Sequence, residues 1–72
     1  MNTSISILDV VALTEDLPDQ GLYRGQVGTV VEDLAPGVFE VEFSDGDGRT
    51  YATLGLRAGQ LMVLHHRPIE VA

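Results

Sequence analysis

The chain has 72 residues, 44% of them apolar and 21% charged, with eleven acids against four arginines, no lysine, a net charge of −7 and no cysteine. That is one small domain, able to bury only about 60% of the surface its unfolded chain exposes. It excludes disulfides and thiolate metal sites, and it leaves none of the clustered Lys and Arg that phosphate backbones require.

The acidic field predicts repulsion from nucleic acid and anionic membranes and attraction to basic partners. No apolar run reaches the roughly 20 residues of a transmembrane helix, and residues 1–4 carry no basic residue ahead of an apolar stretch, so no secretory signal is read and a cytoplasmic protein is expected.

Residues 1–7 read as a lead-in in which Ile5 and Ile7 alternate with serines, enough for a short extra strand. Residues 9–14, Asp-Val-Val-Ala-Leu-Thr, predict the first strand, with Val11 and Leu13 on one face and Val10 and Ala12 on the other. Two small apolar faces suggest cover on both sides. Residues 15–23 hold Pro18, Gly21 and three acids, the composition of a loop, which Leu17 and Leu22 would anchor by turning inward.

Arg24-Gly25-Gln26-Val27-Gly28-Thr29-Val30-Val31 follows. Glycine at the mouth of a β-branched run supplies a positive φ, a bulge or a close backbone approach, so residues 26–33 predict a bent second strand and Gly28 a position intolerant of a side chain. Ala35-Pro36-Gly37-Val38 fits a type II turn. In residues 38–43, Phe39, Val41 and Phe43 alternate with Val38, Glu40 and Glu42, a strand with one face in the core and one in water. Residues 44–49 carry two Asp-Gly hairpin signals. Residues 50–54 predict a fourth strand, residues 56–60 a single 3₁₀ turn, residues 61–64 a fifth strand and residues 65–72 a tail interrupted by Pro68. The expected core is Val11, Leu13, Val30, Phe39, Val41, Phe43, Ala52, Leu54 and Leu61.

Five short strands, a long first loop and tight later hairpins predict an all-β fold, a small five-stranded SH3-like barrel over residues 8–64. Asp9-x-Val11-x-Leu13, followed after a loop by Arg24-Gly25-x-x-Gly28-x-Val30, resembles the opening of KOW-type SH3-like barrels, in which the second glycine lets the strand bend across the first. A longer likeness runs through Leu8-Asp9-Val10-Val11-Ala12-Leu13-Thr14, Asp16-Leu17-Pro18, Gly21-Leu22, residues 24–31, Glu40-Val41-Glu42-Phe43 and Asp47-Gly48-Arg49-Thr50. These residues resemble a small bacterial family known as a domain of unknown function, number 4926. The resemblance implies a fold and no chemistry. Some members look to be encoded beside toxin-like genes, which implies an antitoxin or immunity role.

No catalytic set emerges. Ser4, Ser6 and Ser44 stand in no nucleophile motif, and Glu40 with Glu42 reads as an exposed strand face. Asp45-Gly46-Asp47-Gly48 opens like a calcium loop, but Arg49, Thr50 and Leu56 occupy the positions that need an oxygen ligand, glycine and glutamate. His65 and His66 are adjacent and would point apart on an extended chain. We therefore expect no enzyme, no metal and no cofactor. The expected role is a protein-interaction or regulatory module, binding a basic protein surface through Glu15, Asp16, Asp19 and Tyr23 of the first loop. Reversing the three acids is expected to leave folding nearly unchanged, since exposed charges contribute little to it. Self-association through strand edges or terminal segments is expected as well. A KOW-like nucleic-acid or ribosome-associated module, and an accessory subunit of a larger enzyme, are the alternative roles.

Overall fold

The computed structural model describes residues 4–65. In chain order it comprises β1 (Val10–Leu13), a 3₁₀ turn η1 (Pro18–Gln20), β2 (Val27–Ala35), β3 (Val38–Ser44), β4 (Thr50–Arg57), a second 3₁₀ turn η2 (Ala58–Gln60) and β5 (Leu61–Val63). The five strands form one antiparallel sheet in the order β4-β3-β2-β1-β5. This is the all-β, five-stranded architecture the patterns predict, with one correction: the sheet is open and no barrel closes. The three residues of β5 are taken up on the free side of β1, with Val11 opposite Val63 and Leu13 opposite Leu61. Among the described residues nothing bridges from there to β4.

One face of the sheet holds the core. Val11, Leu13, Leu22, Val30, Phe39, Val41, Phe43, Leu56 and Leu61 form a single buried cluster. The alternation in β3 is as the sequence predicts, with Phe39, Val41 and Phe43 buried and Glu40 and Glu42 facing outward. Ala52 and Leu54 are half-buried rather than buried, because among the described residues β4 is an edge strand with a neighbour on one side only. Leu56 is the residue of β4 that is buried. β1 is covered on both faces, since Ala12 is buried as well as Val11 and Leu13.

Gly37 has a φ of 74°, as the third position of a type II turn demands. Gly28 is not in the left-handed region; a Cβ there would meet Val41 Cγ1 at 2.7 Å and the Glu42 carbonyl oxygen at 2.9 Å. Close approach of β2 to β3 is thus the reason for this glycine. β2 runs to Ala35, beyond the expected end, through register shifts after Val30 and after Asp33.

The extra strand expected at Ile5 and Ile7 is instead a turn. The Asp9 carboxylate accepts the Ser6 N–H at 2.9 Å, and Leu8 N–H donates to the Val30 carbonyl at 2.7 Å. These bonds hold Leu8 at a φ of 78° while it remains 74% exposed, a conformation that disfavours a side chain by roughly 1–2 kcal/mol. In the 44–49 hairpin the Asp45 carboxylate accepts the N–H groups of Asp47 and Arg49 at 2.9 and 3.0 Å, so this aspartate stabilises a turn. Residues 66–72, most of the expected tail and including His66, lie outside the described residues. Among the described residues no helix is long and apolar enough to cross a membrane.

Candidate interaction surface

The loop between β1 and β2 stands on a fixed stem. Gly25 N–H donates to Leu13 O at 2.8 Å and Leu13 N–H to Gln26 O at 3.0 Å, while Thr14 N–H reaches Gln60 O at 3.0 Å. Further out, Leu17 and Leu22 exchange backbone hydrogen bonds at 2.8 and 3.1 Å. Leu22 is buried in the core and Leu17 packs against it, as their apolar character within an acidic loop predicts. Between them η1 makes one turn, with Gly21 N–H closing onto Pro18 O at 3.0 Å. The tip is therefore a short, hydrogen-bonded projection.

The three loop acids are held differently. Asp16 Oδ1 accepts the backbone N–H of Arg24 at 2.9 Å, crossing the base of the loop to the residue beside Tyr23. Glu15 Oε2 accepts Gln60 Nε2 at 2.9 Å, which draws it toward η2. Gln60 is buried, and its Oε1 accepts Arg57 N–H at 2.9 Å, so both ends of its amide are satisfied. Asp19 stands exposed on η1 itself. The structure thus ties Asp16 to the Arg24 backbone, next in the chain to Tyr23, while Glu15 is drawn to Gln60 and Asp19 stands on η1.

Two of these bonds revise the expectation that reversing the acids leaves folding unchanged. Asp16→Ala removes the acceptor of Arg24 N–H and is expected to cost about 0.5–1.5 kcal/mol in a urea melt. Asp19→Ala should coincide with the parent, and an Asp16 variant that also coincides would show that bond to be without weight.

Tyr23 is joined to a residue the loop sequence does not reveal. Its N–H donates to Gln26 Oε1 at 2.6 Å, and Gln26 Nε2 donates to the Tyr51 hydroxyl at 3.1 Å. Tyr51, near the start of β4, leans on buried Phe43 with ring centroids 6.3 Å apart and an interplanar angle of 44°. Both tyrosines are about half exposed, 52% and 49%. One glutamine amide thus ties the backbone of Tyr23 in the loop to the phenol of Tyr51 in β4.

A second acidic feature comes from strand register. Glu32 in β2 lies directly opposite Glu40 in β3, and Glu40 opposite Gly55 in β4; in the parallel row Thr29, Glu42 and Thr53 are aligned. Directly paired residues share a face, so Glu32, Glu40 and Glu42 stand together on the outer face. The Glu40–Glu42 alternation is legible in the sequence. The Glu32–Glu40 pairing is not, because it follows from the register shift after Val30. Among the described residues no group of three or more His, Asp or Glu is placed to hold a metal ion.

What the surface offers chemically is carboxylate acceptors, an amide and two phenols. That set suits hydrogen bonding and stacking against cationic side chains. In comparisons with known proteins, one family model matches, described as Domain of unknown function (DUF4926), over residues 7–63. Neither a curated protein nor a solved structure matches the chain.

Proposed function

The chain belongs to the DUF4926 family, and since that description names no activity we propose its role from its own surface: a non-catalytic protein-interaction or regulatory module that takes a basic partner on the first loop. The observation that carries this reading is the pinned loop, which presents Asp19 at its tip and Tyr23 at its base, with Tyr51 tied alongside through Gln26. Tyrosine supplies rigid, amphipathic contact area at low entropic cost, and a net charge of −7 favours encounter with basic surfaces. Restraint of a basic toxin, in the manner of an immunity protein, is one activity this chemistry allows. A chain free of cysteine folds without disulfides, which is compatible with the cytoplasmic location we propose for it.

The test uses Asp19→Lys and Tyr23→Ser, because neither side chain's replacement removes one of the hydrogen bonds that pin the loop. Proteins retained from the native cell by the parent and by the double variant are compared at low and moderate salt. Rim charges act mainly on association rate and salt dependence, so the parent should retain a basic protein that the double variant loses. The same retained proteins for both would remove the loop from the reading. Salt-sensitive RNA binding with no protein retained would overturn the reading in favour of a nucleic-acid module.

A further inference from the structure

Among the described residues the sheet leaves β4 unpaired along one side. β4 is the terminal strand, eight residues long, and among the described residues it pairs only with β3. Such an edge presents backbone donors and acceptors at alternate residues, and proteins ordinarily blunt it with Lys, Pro, a bulge or short length. The edge strand β5 is short, at three residues. β4 is not, and from Ala52 to Arg57 its register with β3 is unbroken. The run Ala52-Thr53-Leu54-Gly55-Leu56 contains no charge and no proline.

Charge selects what the edge would take. Gly55 and Thr53 stand directly beside Glu40 and Glu42 on the outer face. Glu40 is also opposite Glu32. Like charges directly opposed are destabilising, so folding alone gives no reason for that row. Gly55 has no side chain of its own, and the end of Leu34 lies 3.0 Å from where its Cβ would stand, so Leu34 covers the glycine on this face. A strand added beyond β4 would lie about 4.8 Å away, and a Lys or Arg on its outward face could lay its apolar stem along Leu34 with its cationic end toward the carboxylate row.

We propose that β4 receives an extended basic segment of a partner protein as a sixth strand, with Lys or Arg side chains on its outward face beside Glu40 and Glu42. The mode is strand addition, in which main-chain hydrogen bonds bind and alternate side chains specify. A second copy of this chain is the poorer occupant, because it brings the same net charge of −7 to the same acidic rows. The proposal rests on the reading that the partner is basic. It extends the contact from the loop, since Tyr51 belongs to β4 and is bonded to Gln26 beside Tyr23.

The probe is a capped eight-residue peptide of alternating Lys and Val, titrated into the full chain at low salt, with amide hydrogen exchange read residue by residue. Bound peptide should slow exchange within Ala52–Leu56 on the order of tenfold or more, whereas the same peptide with alternate amides N-methylated, equal in charge but short of donors, should not. Glu40→Gln should weaken binding while raising the melting temperature, a combination that a merely structural role for Glu40 would not give. Slowed exchange confined to residues 15–23 would overturn the edge and leave the loop reading standing. Undiminished β4 protection in the Asp19→Lys, Tyr23→Ser double variant would support the edge even if the loop reading fails. Absence of binding, equal protection by the N-methylated peptide, or concentration-dependent protection of β4 without peptide would each overturn the proposal.

Discussion

Phe43→Ala is expected to remove a large share of the domain's stability, about half at the centre of the ranges below. Phe43 heads the fully buried side chains by size and is completely shielded from solvent. Its two cross-strand neighbours are Gly28 on β2 and Ala52 on β4. The ring therefore fills space that both partners leave empty, and neither has a side chain long enough to collapse into the hole. Truncation of a buried Phe costs about 3–5 kcal/mol, more where the site cannot relax. At roughly 0.05–0.15 kcal/mol per residue, a chain of this length holds about 4–11 kcal/mol in all. The midpoint of the variant's cooperative transition should fall by a similar share in a urea melt followed by far-ultraviolet circular dichroism. A midpoint equal to the parent's would contradict the packing described around Phe43.

Gly28→Val is expected to rank next. A Cβ at this position would stand 2.7 Å from Val41 Cγ1, 2.9 Å from the Glu42 carbonyl oxygen and 3.0 Å from Phe43 Cδ2. The carbonyl is backbone and cannot change rotamer, and Val41 and Phe43 are themselves fully buried. Accommodation therefore means moving β3 away from β2. Overpacking of this kind costs about 1–3 kcal/mol and occasionally more, and the rigid neighbour places Gly28 at the upper end. Most of the cost should already appear in Gly28→Ala, because the first added carbon makes the clash. Gly25→Ala is the contrast: its φ is 92° but nothing lies within 4 Å of a built Cβ, so only the left-handed backbone penalty of about 1–2 kcal/mol applies. Equal urea midpoints for Gly28→Ala and the parent would rule out the close approach.

Local patterns carried most of the fold. Phe39, Val41 and Phe43 announce their face by strict alternation, Pro36-Gly37 announces its turn, and Leu17 and Leu22 stand out as the apolar residues of a polar loop. What the sequence could not show depends on neighbours across the sheet. Ala52 and Leu54 alternate as core residues do, yet their strand has one open side, and edge position is a property of topology. Glu32 meets Glu40 only because the register shifts after Val30. At the candidate surface, Tyr23 and the acids were visible as residue types, whereas Gln26 was not, because a lone glutamine before a strand has no pattern to mark its bonds to two tyrosines. Asp16 looked like a solvated charge and turns out to hold the Arg24 amide.

The return of β5 to β1 has a kinetic consequence. Leu13 meets Leu61 forty-eight residues later, while Ala35 meets Val38 across a two-residue turn. Closing the longer span costs about 2 kcal/mol more chain entropy than closing the shorter one. The β2–β3–β4 meander is therefore expected to assemble first, with β1 joining β2 across the fifteen residues from Ala12 to Val27 and β5 docking last. Contacts still absent at the barrier leave the folding rate alone and govern how fast the native state is lost. On that order of assembly, substitutions in the three residues of β5 are expected to shorten the lifetime of the folded chain while leaving its folding rate unchanged, although most of its buried apolar mass lies in the meander.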